Sequence, residues 1–231
     1  MAARDAVGRA SRSGRDRSCQ TRPVTEKPRL RGVSHQIAFF VAAAAGAVLV
    51  ALAEPGPARA AAAVYALSLC GMLGASALYH RGTWSAGTGV WLRRLDHAMI
   101  FVLVAGTYTP FVVDVLERPL DLVVLGIAWG GALLGIVLSL AWIDAPRWVA
   151  AGVYLGLGWT SVIAVPQILE RAGGGAVALL ALGGALYSVG AVVYGRRRPD
   201  PRPEVFGFHE VFHAFVIAAA TAHFAAVAIY A

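Results

Sequence analysis

Three histidines, an aspartate and a serine stand at positions from which an otherwise apolar chain should exclude them. Ser76 and His80 are four residues apart, so on a helix both project from one face. His209 and His213 repeat that spacing within Phe208-His209-Glu210-Val211-Phe212-His213, and Asp96 lies between the two pairs in sequence. Ionisable groups inside or at the ends of membrane-spanning helices are costly, so each demands a partner and a purpose. Three imidazoles and a carboxylate at one level of a helical bundle match a metal site with an open position for water. Zinc suits imidazole and needs no redox partner, although the ligand types alone leave iron and copper open. His-x3-His by itself is a weak motif, and a lone histidine near a helix end is ordinarily a solvated cap. The combination carries the reading.

The chain that must position these groups has 231 residues, 58% of them apolar and 14% charged, with 26 glycines and a mean hydropathy of +0.65. A soluble domain is nearer half apolar and a quarter charged. The balance excludes a soluble enzyme, a disordered protein and a secreted disulfide scaffold, and points to lipid as the solvent for most of the chain. Cys19 lies in a polar tail and Cys70 in an apolar run, a placement that does not suggest a bridge.

Seven apolar runs each approach the length that a spanning helix needs: His35 to Ala53, Ala60 to His80, Leu95 to Val115, Leu122 to Trp142, Trp148 to Leu169, Gly175 to Gly195 and Phe208 to Tyr230. Helix-stopping chemistry separates them, as in Glu54-Pro55-Gly56-Pro57, Asp144-Ala145-Pro146 and Arg171-Ala172-Gly173-Gly174-Gly175. The expected architecture is an all-α seven-helix transmembrane bundle over 34–231, preceded by a basic disordered tail over 1–33. The first run with Ala58-Arg59-Ala60 imitates a signal peptide and its cleavage site, but the apolar segment is too long, and it reads as a retained helix. Nine of the twenty Lys and Arg precede residue 32, a pattern of a cytoplasmic anchor drawn to anionic lipid more than of a nucleic-acid arm. Counted on alternate sides of the bundle, Lys and Arg divide 17 to 3, which places the N-terminus in the cytoplasm and the C-terminus outside.

This topology checks the site independently. His80 ends the second helix at the cytoplasmic side, and Asp96, His209 and His213 begin the third and seventh there, so all share one depth. His97 points about 100° away from Asp96 and suits an interfacial role. His35 starts the first helix on the same side, where it either joins the site's surroundings or faces headgroups. His223 shares a face with His209 but lies about 21 Å along the helix, too far for one metal, and Asp114 fails likewise against Asp96 at about 27 Å. Gly126-x3-Gly130, Gly131-x3-Gly135 and Gly152-x3-Gly156 read as ordinary packing within one bundle. Pro110 and Pro166 are expected to kink or end their helices near the outer face.

Ser76-Ala77-Leu78-Tyr79-His80, then Arg93-Arg94-Leu95-Asp96-His97 leading to Ala105-Gly106-Thr107-Tyr108-Thr109-Pro110-Phe111, and finally His209-Glu210-Val211-Phe212-His213, together resemble the hemolysin III family, which belongs with the progestin and adipoQ receptors. The likeness spans about residues 27 to 231. It implies a zinc ion held by His80, His209 and His213 near the cytoplasmic face, with Asp96 holding the water at that zinc and Ser76 supporting the site. In one respect the chain departs from the family: Arg31 stands four residues before His35, where an Asn is usual, which leaves the part played by the first helix open.

The expected function is that of an integral zinc protein of the cell membrane, with the bilayer as partner and a lipid as possible substrate. Four readings follow. In the first, Asp96 serves as general base in a hydrolase of a lipid amide or ester, similar to the ceramidase-like members of the superfamily. In the second the zinc is structural, in a receptor or regulator; structural zinc usually has four protein ligands, which argues against it. The third is a cytolysin, for which no polar stripe along several helices is present. The fourth, a bis-histidine haem protein, needs opposed pairs on facing helices, and only one helix carries two. Nothing in the sequence sets the oligomeric state. Reporter fusions should find the tail in the cytoplasm and Ala231 outside; a cytoplasmic C-terminus would overturn the seven-span topology.

Overall fold

A computed structural model of the chain describes residues 27–231. Eight α-helices follow one another: α1 Val33–Leu52, α2 Pro57–Arg81, α3 Ala86–Asp114, α4 Leu120–Ala141, α5 Arg147–Trp159, α6 Val165–Arg171, α7 Gly173–Arg196 and α8 Phe208–Tyr230. A 3-10 segment, Thr160–Ala164, joins α5 to α6, and the three together make one span. Seven spans long and apolar enough to cross a bilayer therefore stand among the described residues, which contain no β-strand. Neighbours in sequence pack as neighbours in space, and α8 closes the ring by packing on α7, α1 and α3.

α2 occupies the centre. Of its apolar window 61% is buried, against 17% for α1 and 6% for the fifth span, so those two lie at the rim. Tyr65, Leu69 and Met72 of α2 meet Leu103 and Phe111 of α3 and Val216 of α8 in the main core. The outer surface is apolar in a way that water would not tolerate: Leu67 and Leu134 are more than two-thirds exposed, and Phe40 nearly so.

Where the structure departs from the sequence reading, the reason is local. α3 starts at Ala86, nine residues before the apolar run, because Ser85 caps it by accepting the Thr88 N–H at 3.3 Å. Arg93 and Arg94 thus lie on a helix and not in a connection, and Asp96 sits in its third turn. Pro110 does not end α3, which runs on to Asp114. Near Pro166 the fifth span breaks, the 3-10 segment lying just upstream of a residue that has no N–H to donate. Only Ala172 separates α6 from α7, where Gly173 takes a left-handed φ of 83° that a side chain would disfavour. Of the tail expected over 1–33, residues 1–26, with Cys19, lie outside the described residues. Lys27–Gly32 lie against the connection before α8, where Arg29 N–H donates to Glu204 O at 3.0 Å and Leu30 N–H to Val205 O at 3.1 Å.

Small residues set some approaches and not others. Gly131 and Gly135 face Leu157 and the Phe101 ring, whereas Gly126, Gly130, Gly152 and Gly156 meet no neighbour within 4 Å. At Gly106 any Cβ would collide with the Ser68 side chain of α2. Gly106→Val should therefore force α2 and α3 apart and cost about 1–3 kcal/mol, read as a lower unfolding temperature in detergent; an unchanged temperature would deny that this close approach matters.

Candidate metal centre

The last turn of α2 and the first two turns of α8 meet at one end of the bundle. His80 and His209 face each other with Nε2 atoms 3.1 Å apart. Ring centroids are 4.6 Å apart for His80 and His209, 4.5 Å for His209 and His213, and 5.2 Å for His80 and His213. One nitrogen from each of the three lies within 4.8 Å of the others, close enough to share a metal ion. Nitrogens bound tetrahedrally at 2.0–2.1 Å would stand about 3.3 Å apart, a spacing that the His80–His209 pair, now at hydrogen-bond distance, could adopt with little movement. His213 is 1% exposed, and its Nδ1 is buried with no hydrogen-bond partner, a deficit that metal ligation would remove.

Asp96 stands beside the triad: its Oδ2 lies 3.7 Å from His80 Nε2. His97 turns back along its own helix, its Nδ1 2.8 Å from Arg93 O. Ser76 reaches the cluster indirectly. Its Oγ is 2.8 Å from His35 Nδ1, and the His35 ring stacks on His213 with centroids 3.7 Å apart and planes 10° from parallel. α1 therefore does contribute: His35 is 2% exposed and faces the cluster, not headgroups. His223 is elsewhere, 3.2 Å from Leu180 O and beside Tyr187. Asp114 ends α3 at the far side of the bundle.

Two residues went unassigned in the sequence reading. Glu210, between the two histidines of α8, is 1% exposed; it pairs with Arg31 Nε at 2.5 Å and accepts the Gly207 N–H at 2.8 Å. The available signal was an acidic residue in the first turn of a spanning helix, which needs a positive partner. With Asp200, which accepts the Phe208 N–H at 2.8 Å, this arrangement satisfies the first donors of α8 and fixes the helix carrying two of the three imidazoles.

A cavity of about 390 Å³ opens on the cluster, lined by His80, His209, Asp96, Tyr79, Tyr154 and Tyr194 and by the arginines 31, 93 and 147. A second cavity, about 220 Å³ and almost wholly apolar, lies further along α3, α7 and α8; Tyr154 lines both. The pairing of Arg31 with Glu210 yields a test. Glu210→Ala leaves a guanidinium unpaired at the head of α8 and should cost about 3 kcal/mol, whereas joining Arg31→Met to Glu210→Leu should recover much of that loss. Thermal unfolding of the single and double variants would show it; equal losses in both would mean that the charges do not act as a pair.

Over 139 residues, 60% of its length, the chain is 37% identical to the Hemolysin-3 homolog of Bacillus subtilis (strain 168), and over 138 residues, 59% of its length, it is 33% identical to Hemolysin-3 of Bacillus cereus. The matched stretches cover 62% and 59% of those proteins, so the chain spans about three fifths of the length of the curated relatives it matches. No solved structure is significantly similar. Residues 24–224 match the family described as haemolysin-III related, a stretch that encloses every group of the histidine cluster, and the chain is a member of that family.

Proposed function

We propose that this multi-pass protein is a zinc-dependent hydrolase that cleaves an amide or ester of a lipid at the cytoplasmic side of the cell membrane, its N-terminus in the cytoplasm. The observation that carries the reading is the convergence of three imidazoles and a carboxylate on the wall of a polar cavity whose neighbour is apolar. His80, His209 and His213 would hold the ion. Zinc so held supplies Lewis acidity, which makes water a nucleophile near neutral pH and polarises an acyl carbonyl.

The chain's own residues do the rest. Asp96 accepts the proton of the attacking water and returns it to the leaving nitrogen or oxygen as the acyl bond breaks, giving a carboxylic acid and an amine or alcohol. Ser76 fixes His35, and the His35 ring holds the plane of His213, so that its donor points into the cluster. The apolar cavity gives hydrocarbon somewhere to lie while the acyl bond stays beside Asp96. A second reading, cytolysis without hydrolysis, is favoured by the names of the two Bacillus relatives.

Replacing any one of His80, His209 and His213 by Ala should strip most of the zinc, measured by metal analysis after chelator-free purification. Asp96→Asn should keep most of the zinc and the unfolding temperature, and lower lipid amide hydrolysis about 10²- to 10⁴-fold. Parent protein without metal would overturn the zinc assignment. Zinc-loaded parent that lyses vesicles but cleaves no amide or ester lipid would replace the hydrolase reading by the cytolytic one.

A further inference from the structure

Three guanidinium groups line the polar cavity, and they differ in what neutralises them. Arg31 is paired with buried Glu210. Arg93 donates to Asp144 Oδ1 and to Ile143 O, each at 3.0 Å. Arg147, the first residue of α5, has no carboxylate partner among the described residues, and its Nη1 is buried without a hydrogen-bond acceptor.

An arginine at the edge of a membrane ordinarily extends its head toward lipid phosphates. Arg147 instead folds inward across the cavity. Its Cζ lies 5.4 Å from the centre of the Tyr194 ring and 6.0 Å from that of Phe208, and both rings adjoin His209, with centroids 6.0 Å and 6.1 Å from it. The guanidinium is thereby held by two aromatic faces one ring away from the histidine cluster. A shielded N–H with no acceptor is costly, and a planar cation fixed in this way matches the two oxygens of a carboxylate or phosphate. The cavity is two-sided: the Asp96 carboxyl stands beside His80, and the uncompensated positive charge of Arg147 stands on the side of Tyr194 and Phe208.

We infer that the cavity selects lipids with an anionic headgroup, a carboxylate or phosphate, gripped by Arg147 while the acyl linkage lies beside Asp96. This rests on the hydrolase reading for its use and on the cavity alone for binding, and the two can be tested apart. The probes are a fluorescent N-acylglycine and the N-acylethanolamine of the same chain, which share the amide and differ in a carboxylate against an alcohol. Protein in zwitterionic nanodiscs should bind the N-acylglycine at least about tenfold more tightly, a difference of about 1.4 kcal/mol. Arg147→Gln should erase the preference by weakening the anionic probe alone, with zinc content unchanged, and Arg147→Lys should restore part of it. R196Q/R197Q/R198Q, which removes three exposed charges at the end of α7, should leave the preference intact. Equal affinity in the parent, or a preference that survives Arg147→Gln, would overturn the proposal. So would loss of the preference in the triple variant, since the effect would then be general surface charge. Displacement of the probe by inorganic phosphate at the probe's own concentration would overturn the lipid assignment in favour of a soluble anion. Preferential binding without turnover sustains this inference and defeats the hydrolase; turnover without preference does the reverse.

Discussion

Imidazoles at the ends of spanning helices must find partners inside the protein, since hydrocarbon offers none, and this requirement organises one whole end of the bundle. His80 and His209 face each other across the α2–α8 junction, His213 lies one turn deeper, and His35 covers it from α1. Three helices, α1, α2 and α8, thus meet at one point. Remove the common point, and α2, α3 and α8 would each end in an isolated polar group at the membrane boundary, a costly position for any of them.

The end of the bundle is closed by chain that would not be counted as membrane-spanning. Lys27–Gly32 lie along the connection before α8, with backbone bonds to Glu204 and Val205 and a Lys27 Nζ bond to Gly82 O at 3.2 Å. Arg31 then reaches Glu210 in the first turn of α8. A buried carboxylate at a helix N-terminus satisfies exposed donors and complements the helix dipole, but it needs a counter-charge once water is removed. Arg31 supplies it, so the charge of Glu210 is compensated within the site itself.

Burial across the bundle is uneven, and the least buried span borders the cavities. α2, α3 and α8 have the most buried apolar windows, 61%, 50% and 39%, while the fifth span has only 6% of its window buried and is broken by a 3-10 segment. Both cavities lie against that span. The imidazoles thus stand on α2 and α8, on the well-buried side, and the sparsely packed side borders the cavities. Backbone hydrogen bonds remain satisfied within each helix, as a lipid environment requires, and the openness comes from side-chain packing alone.

The sequence alone determined the fold class, because twenty-residue apolar runs separated by Pro, Gly and charge have one stable solution in a bilayer. It also placed Ser76, His80, Asp96, His209 and His213 at one depth, since four-residue spacing and the alternating direction of the helices carry them to the same end of the bundle. Helix limits were less legible. Hydropathy reports where lipid is, not where helical hydrogen bonding stops, and so the polar first turns of α3 were missed. Only the tertiary structure decided that His35 and Ser76 act through contact with each other and with His213, that Glu210 is an ion-pair partner, and that Arg147 turns inward while Arg93 finds Asp144. Each of these depends on which helix stands beside which, and on the rotation of each about its axis. Periodicity fixes the faces of a single helix, but the partner of a face is set by packing, a property of the assembled bundle.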